Sequence, residues 1–266
     1  MNAREFGTAL LETGDLDPLY IALHKAGLHS PTLSRYLCAY SAFYNPGLAA
    51  YLADANVPFW DVMMAAAKND TPSPVGGRWA RGSERRHSRG ALAVAMVESL
   101  RAKCAWPETF SERIYDDTVG GVMTKASQFH NYGPWIGFKL ADLLERTHGW
   151  RVSFDDGHVF MFRAPRDGAV IVQQETYPGA DPAVAVPEAL CLMSTWFNDL
   201  AAPPDYHRNV NIQEFETILC KYKSHRNGHY SVGHDIREIR ASFTTWAPVS
   251  ALARSLLECM PPTVTA

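Results

Sequence analysis

The chain has 266 residues with an apolar share of 47%, enough for one large domain or two small packed lobes. A formal net charge of −3 excludes a generic polycation that coats nucleic acid by charge alone. No run approaches the roughly 18 apolar residues of a membrane span, and the first residues lack the basic-then-apolar order of a signal peptide, so no membrane partner and a cytoplasmic location are expected. The cysteines Cys38, Cys104, Cys191, Cys220 and Cys259 are scattered, odd in number and never in a CxxC pair, which fits a reducing compartment and argues against a disulfide frame or a cysteine-rich zinc site.

In chain order, Ser30-Pro31 opens a helix to about Phe43, with Leu33, Tyr36, Leu37 and Tyr40 on one stripe. Asn45-Pro46 stops it and starts another, and Val57–Lys68 reads as a buried helix. Asn69–Gly90 carries Pro72, Pro74, Gly76, Gly77, Gly82 and Gly90 and is expected as a long loop, of the kind that is functional or disordered. Its second half, Arg78–Arg89, holds five arginines against one acid and is a candidate polyanion patch, or else a solvated basic loop. Ala91–Lys103 is a clear helix, rich in Ala, Met and Leu, and Pro107–Asp117 is a further one.

Gln128–His148, QFHNYGPWIGFKLADLLERTH, is the most informative stretch. A polar break at Asn131-Tyr132-Gly133-Pro134 runs into a helix with Ile136, Leu140, Leu143 and Leu144 at helical spacing. Pro134 suits the first turn, Gly133 is expected to let the backbone turn tightly beside a ligand, and open N–H groups at such a helix start attract phosphate. The bland alternative is an ordinary helix–loop–helix. Beyond it, Arg151–Phe154, Val159–Phe162 and Ala169–Gln173 are β-prone runs between the turn signals Asp155-Asp156-Gly157 and Arg166-Asp167-Gly168, so a small three-stranded meander is expected over 151–174. Helices resume at Pro187–Leu200, Ile212–Lys223, Asp235–Ser242 and Pro248–Cys259. The expected fold is mainly α with this β insert, as a single domain over 1–266 or as two helical lobes of about 1–105 and 106–266.

Gln213–Ile236 is the second notable block. Glu216, Cys220 and Lys223 fall on one helix face at i, i+4 and i+7, with Lys221 beside them and His225, Arg226, His229, His234 and Asp235 following. These residues suit a polyanion pocket in which cations bind phosphates and Glu216 or Asp235 acts as base. A metal site from Cys220, His225, His229 and His234 matches no defensible zinc spacing, and a surface helix with i,i+4 pairs explains the pattern equally. There is no Walker-type loop, no Rossmann fingerprint and no GxSxG.

The run NYGPWIGFKLADLLERTHGWRVSFDDGH resembles the helix–hairpin–helix element of DNA glycosylases and the Asp-containing segment after it. The resemblance implies DNA-backbone contact by Asn131, Gly133 and Trp135, joined by Arg85, Arg86 and Arg89 of the basic loop, and a catalytic role for Asp156. Trp135 stands where strand-cleaving members carry lysine, so lyase chemistry is not implied. Over more of the chain, YNPGLAAYL, the GPW hairpin with FKLADLLER, and ETILCKYKSHRNGHY–GHDI are similar to the phage α-glutamyl/putrescinyl thymine pyrophosphorylases, also described as amino acid:DNA transferases. That similarity implies transfer of an amine, an amino acid or polyamine, onto the pyrophosphorylated 5-hydroxymethyl group of a thymine-like base in DNA. Its partners are then DNA containing a modified pyrimidine and a small amine. Glu216, Asp156, Asp235 and Lys223 become candidate catalytic residues, and Lys221, His225, Arg226 and Lys139 candidate pyrophosphate ligands. No cofactor is implied, although a divalent metal on the pyrophosphate is conceivable. A base-excision glycosylase and a non-catalytic DNA-binding phage protein are the alternatives.

Overall fold

The computed structural model of this chain describes residues 1–154 and 162–264. Its helices are α1 (Ala3–Thr13), α2 (Pro18–Ala26), α3 (Ser30–Phe43), α4 (Pro46–Ala53), α5 (Phe59–Lys68), α6 (Ala91–Lys103), α7 (Phe110–Ile114), α8 (Val119–Ala126), α9 (Pro134–His148), α10 (Arg163–Thr176), α11 (Ala185–Phe197), α12 (Ile212–Arg226), α13 (His234–Trp246) and α14 (Ala251–Cys259). Mainly helical is therefore right. The meander is not: Ala169–Gln173 lies inside α10, and β structure among the described residues amounts to isolated bridges such as Ala201–Asn209. Asp155, Asp156 and most of Val159–Phe162 lie outside the described residues. No described helix is long and apolar enough to cross a membrane.

Contacts divide the chain into two compact units. One comprises residues 1–21, 153–237 and 261–266, the other residues 22–152 and 238–260.

In the first unit α10 packs on α11 and α12, and α1 on both α11 and α12. Capping boxes start α1 and α12: the Asn2 and Asn211 side chains accept first-turn N–H groups, and the Glu5 and Glu214 carboxylates accept the cap N–H groups at 3.0 and 2.9 Å. Gly168 explains why a turn-like Arg-Asp-Gly run is helical. A Cβ there would lie 2.1 Å from the Leu219 carbonyl oxygen, so glycine is what lets α10 approach the α12 backbone. The run reads locally as a turn, and tertiary packing overrides it.

Asp15 follows the left-handed Gly14 that ends α1 and is completely buried. Its carboxylate accepts the Tyr230 hydroxyl at 2.8 Å and the N–H groups of Gly233 and Ile236 at 2.6 and 2.9 Å. The turn between α12 and α13 is thus fixed onto the end of α1. We expect Asp15→Ala to lower the unfolding free energy by about 3 kcal/mol, since it strips one buried acceptor group from three donors. Urea denaturation of this variant against the parent measures the loss.

In the second unit α3 is central, touching α4, α6, α7 and α9, and every residue of Leu33–Phe43 except Arg35 is buried. Arg35 bridges outward, donating to Glu108 at 2.8 Å and to the carbonyls of Leu52, Asp54 and Val57. At the far end of α9, His148 stacks on Trp150 at 4.3 Å and shares a hydrogen bond of 2.8 Å with the buried Ser111 hydroxyl. Burial pulls the His148 imidazole down to about 4 from its ordinary 6.5. Between those values the unfolded chain binds the extra proton, so the stability that neutral His148 contributes is complete above about pH 6.5 and is lost as pH falls towards 4. His148→Gln is expected to flatten this acid limb, measured as a smaller drop in melting temperature between pH 7 and pH 5 than the parent shows.

Candidate nucleic-acid interface

The hairpin between α8 and α9 belongs to the second unit. Its turn is not made by Gly133, contrary to the expectation from sequence. Gly133 is extended, at φ −82° and ψ 175°, with open space where a Cβ would stand. Asn131 takes the left-handed conformation instead, at φ 62°, which its short polar side chain tolerates. Gly133 is the N-cap of α9 without offering a side chain, and Pro134 occupies the first turn, so among the described residues no side chain caps the N–H groups that open this 15-residue helix. Gly137 seats α9 on α8, because a Cβ there would lie 2.8 Å from the Met123 Cα.

Three neighbours hold the hairpin in place. The first is α6, where Ser99 accepts the His130 N–H at 3.0 Å and Lys103, one turn on, donates its ammonium to the Gln128 carbonyl. Ser99, Lys103 and Ser127–Gly133 line an open depression of about 640 Å³. The second is α3. Buried Tyr132 meets the Ser41 hydroxyl at 2.8 Å, and burial pushes its phenol well above the usual tyrosine value. A line of rings, Tyr36, Tyr40, Tyr44 and Trp135, runs from α3 to the start of α9 with centroids 4.6–6.0 Å apart, leaving Trp135 half-buried.

The third is the basic loop. Trp79 is buried, its backbone N–H on the Asn69 side chain and its indole N–H on the Thr71 carbonyl at 2.8 and 3.0 Å. Gly82 donates its N–H to the Phe43 carbonyl, and Arg85 its Nε to the Ser41 carbonyl at 2.9 Å, which satisfies the open end of α3. Arg85 Nη1 reaches the Asn131 carbonyl at 2.7 Å and the guanidinium lies over the Tyr132 ring at 5.0 Å. Arg81 donates to the carbonyls of Ala66, Ala80 and Ser88 and lies over Phe43 at 4.2 Å. Burial pulls the Arg81 guanidinium down to about 10, with the Arg89 charge adding, and burial also lowers Arg85. Among the described residues no carboxylate pairs with either, whereas Arg78, Arg86 and Arg89 stand exposed on the same loop. The result is a surface of positive potential around an open helix start.

Lys139, on α9 of the same unit, is largely buried at 3.9 Å from Asp142, which lies 3.6 Å from Arg146 one turn on. The remaining sequence candidates belong to the first unit. Lys221 is held by the carbonyls of Asp15 and Leu16 and by the Asp235 carboxylate, each at 2.6 Å. Lys223 pairs with Asp167 and Arg226 with Glu175, both at 2.9 Å, and the Lys223 ammonium holds the Asp167 carboxyl below the usual range. His225 stacks on Phe6 at 4.7 Å with Nδ1 3.0 Å from the Tyr230 carbonyl. Glu216 is buried, 3.4 Å from the Thr217 hydroxyl. The C-terminal cations thus converge on carboxylates rather than forming an empty cationic pocket.

Sequence reasoning missed Ser99 and Lys103, and it took Arg81 only as one of the five arginines of the basic patch. Ser99 and Lys103 carried a usable signal, an i,i+4 polar pair on an apolar helix just before the hairpin.

A model of the family described as amino acid:DNA transferase matches residues 8–229. The chain is also 43% identical to a glycinyltransferase of Pseudomonas phage PaMx11, over 98% of this chain and 96% of that protein. This chain belongs to the amino acid:DNA transferase family. It is 26% identical to a putrescinyltransferase of Delftia phage PhiW-14, over 96% of this chain and 82% of the other. The family match takes in the hairpin, the basic loop and all of α12, and it ends before His234 and Asp235 of this transferase. We expect Arg85→Met to lower its stability by about 2 kcal/mol, because the buried Ser41 carbonyl and the part-buried Asn131 carbonyl lose their donor. Amide exchange at Asn131–Trp135 should quicken more than exchange in α12, a difference that mass spectrometry of deuterated peptides resolves.

Proposed function

We propose that this chain is a DNA-hypermodifying transferase that attaches an amine to a pyrophosphorylated 5-hydroxymethyl pyrimidine in phage DNA and releases pyrophosphate, acting in the cytoplasm of the infected host. The observation that carries this reading is the family match across residues 8–229, over a chain whose hairpin presents a helix start beside arginines that pair with no carboxylate among the described residues. The amine we assign is glycine, on the similarity to the phage PaMx11 glycinyltransferase.

In this reaction the amine nitrogen forms a bond to the methylene carbon as the carbon–oxygen bond to pyrophosphate breaks. The electron pair leaves with pyrophosphate and the nitrogen gives a proton to a base. Asn131, Gly133 and Trp135 with exposed Arg86 and Arg89 grip the DNA backbone, and Arg85 serves them from below by fixing Asn131. Pyrophosphate is a good leaving group when cations take up its charge. Lys223 and Arg226 suit this, because they are partly exposed and a trianion can displace their single carboxylates. Lys139 and His225 are further candidates, while Lys221 is committed to three acceptors. Glu216, Asp235 and Asp156 remain the candidate bases, with Asp235 already facing Lys221.

The deciding test is nucleoside mass spectrometry on DNA carrying pyrophosphorylated hydroxymethyluracil, incubated with the protein and either glycine or putrescine. A nucleoside heavier by one glycine residue supports the assignment. Putrescine incorporation alone overturns the amine, and free base in the supernatant overturns the transferase in favour of a glycosylase. Lys223→Ala should lower turnover at least tenfold with DNA affinity retained. Replacing Arg86 and Arg89 together by Ala should weaken DNA binding and reduce the salt slope of log K by roughly 2, read from titrations across a salt series.

A further inference from the structure

Enzymes that do chemistry on a base in a duplex commonly extrude it from the stack, and the gap it leaves is stabilised when a side chain stacks into it. Trp106 has the properties of such a side chain. It is 73% exposed, the most exposed large apolar residue among those described, and it belongs to the same unit as the hairpin. Its backbone is nevertheless firmly held. The Trp106 carbonyl accepts from the Thr109 N–H at 3.0 Å, the Thr109 hydroxyl at 2.9 Å and the Cys104 thiol at 3.2 Å. The Ala105 carbonyl before it accepts the Trp60 indole N–H at 2.9 Å, and Pro107 after it fixes the next φ. The backbone under the indole is thus ordered before binding, which leaves only the rotamers of the ring to be fixed.

Its surroundings indicate the partner. Lys103, three residues earlier, is exposed and lines the hairpin depression, and Arg101 is exposed on the turn before it. Three residues span at most about 11 Å, roughly three base steps, so a strand gripped at the hairpin passes within reach of the ring. Cations for the backbone with an aromatic face for a base are the two components of a nucleic-acid platform. We propose that Trp106 stacks against the DNA bases beside the extruded target and holds the duplex open. The inference rests on DNA being the substrate, as argued above.

The test uses duplex DNA with 2-aminopurine in place of the target base, a probe that brightens when it leaves the stack and is not itself covered by the ring that fills the gap. The parent protein should bind it and raise its fluorescence. Trp106→Ala should bind about tenfold more weakly, lose most of the fluorescence rise and turn over duplex at least tenfold more slowly. Turnover on a single-stranded substrate, where no stack needs opening, should stay near the parent value. Trp106→Phe should restore most of the signal, and Tyr206→Ala, which removes another exposed ring, should change nothing. The indole is exposed, so unchanged thermal unfolding of Trp106→Ala is expected and checks its fold. Parent-like affinity and fluorescence in Trp106→Ala overturn the stacking role while leaving the DNA reading intact. Failure of the parent protein to bind DNA overturns both.

Discussion

Arg85 ties the candidate DNA-binding surface together. One guanidinium satisfies a carbonyl at the end of α3, holds the left-handed Asn131 of the hairpin and lies under the Tyr132 ring. Burying a cation without a carboxylate is costly, and its lowered proton affinity records that cost. With Arg85 in place, the basic loop, the central helix and the hairpin are one structural element.

The C-terminal block and the basic loop use cations in opposite ways. In the first, Lys221, Lys223 and Arg226 are each matched to a carboxylate, and Lys221 also fastens the backbone after α1. In the second, Arg81 and Arg85 lie on carbonyls and rings, and Arg78, Arg86 and Arg89 face solvent. Paired cations fix geometry and answer an anion only by giving up a partner. Cations without carboxylates project potential and draw a polyanion directly. These are the different needs of the DNA grip and the leaving-group pocket proposed above.

The long loop shows what local composition leaves open. Six glycines and prolines between Pro72 and Gly90 predict a long loop, functional or disordered; Trp79 folds it onto Asn69 and Thr71, Arg81 ties it to α5, and Arg85 ties it to α3 and the hairpin. The α10 segment shows the converse. Its Arg-Asp-Gly turn signal and Val-Ile-Val run satisfy the rules for a strand, while the glycine is there to admit the α12 backbone. In both cases the deciding partner is far away in the chain, where no window of neighbouring residues includes it.

By itself the sequence determined the helical class, the starts of α3, α6 and α9, the position of the hairpin and the family, because apolar periodicity, proline placement and a characteristic run of residues are all local. Tertiary structure alone decided that Asn131 rather than Gly133 makes the turn, that Arg85 supports the hairpin from within rather than facing DNA, and that the C-terminal cations are already paired. Burial and pairing are properties of three-dimensional neighbours. A cation reads the same in sequence whether its partner is a carbonyl, a carboxylate on a distant helix or water.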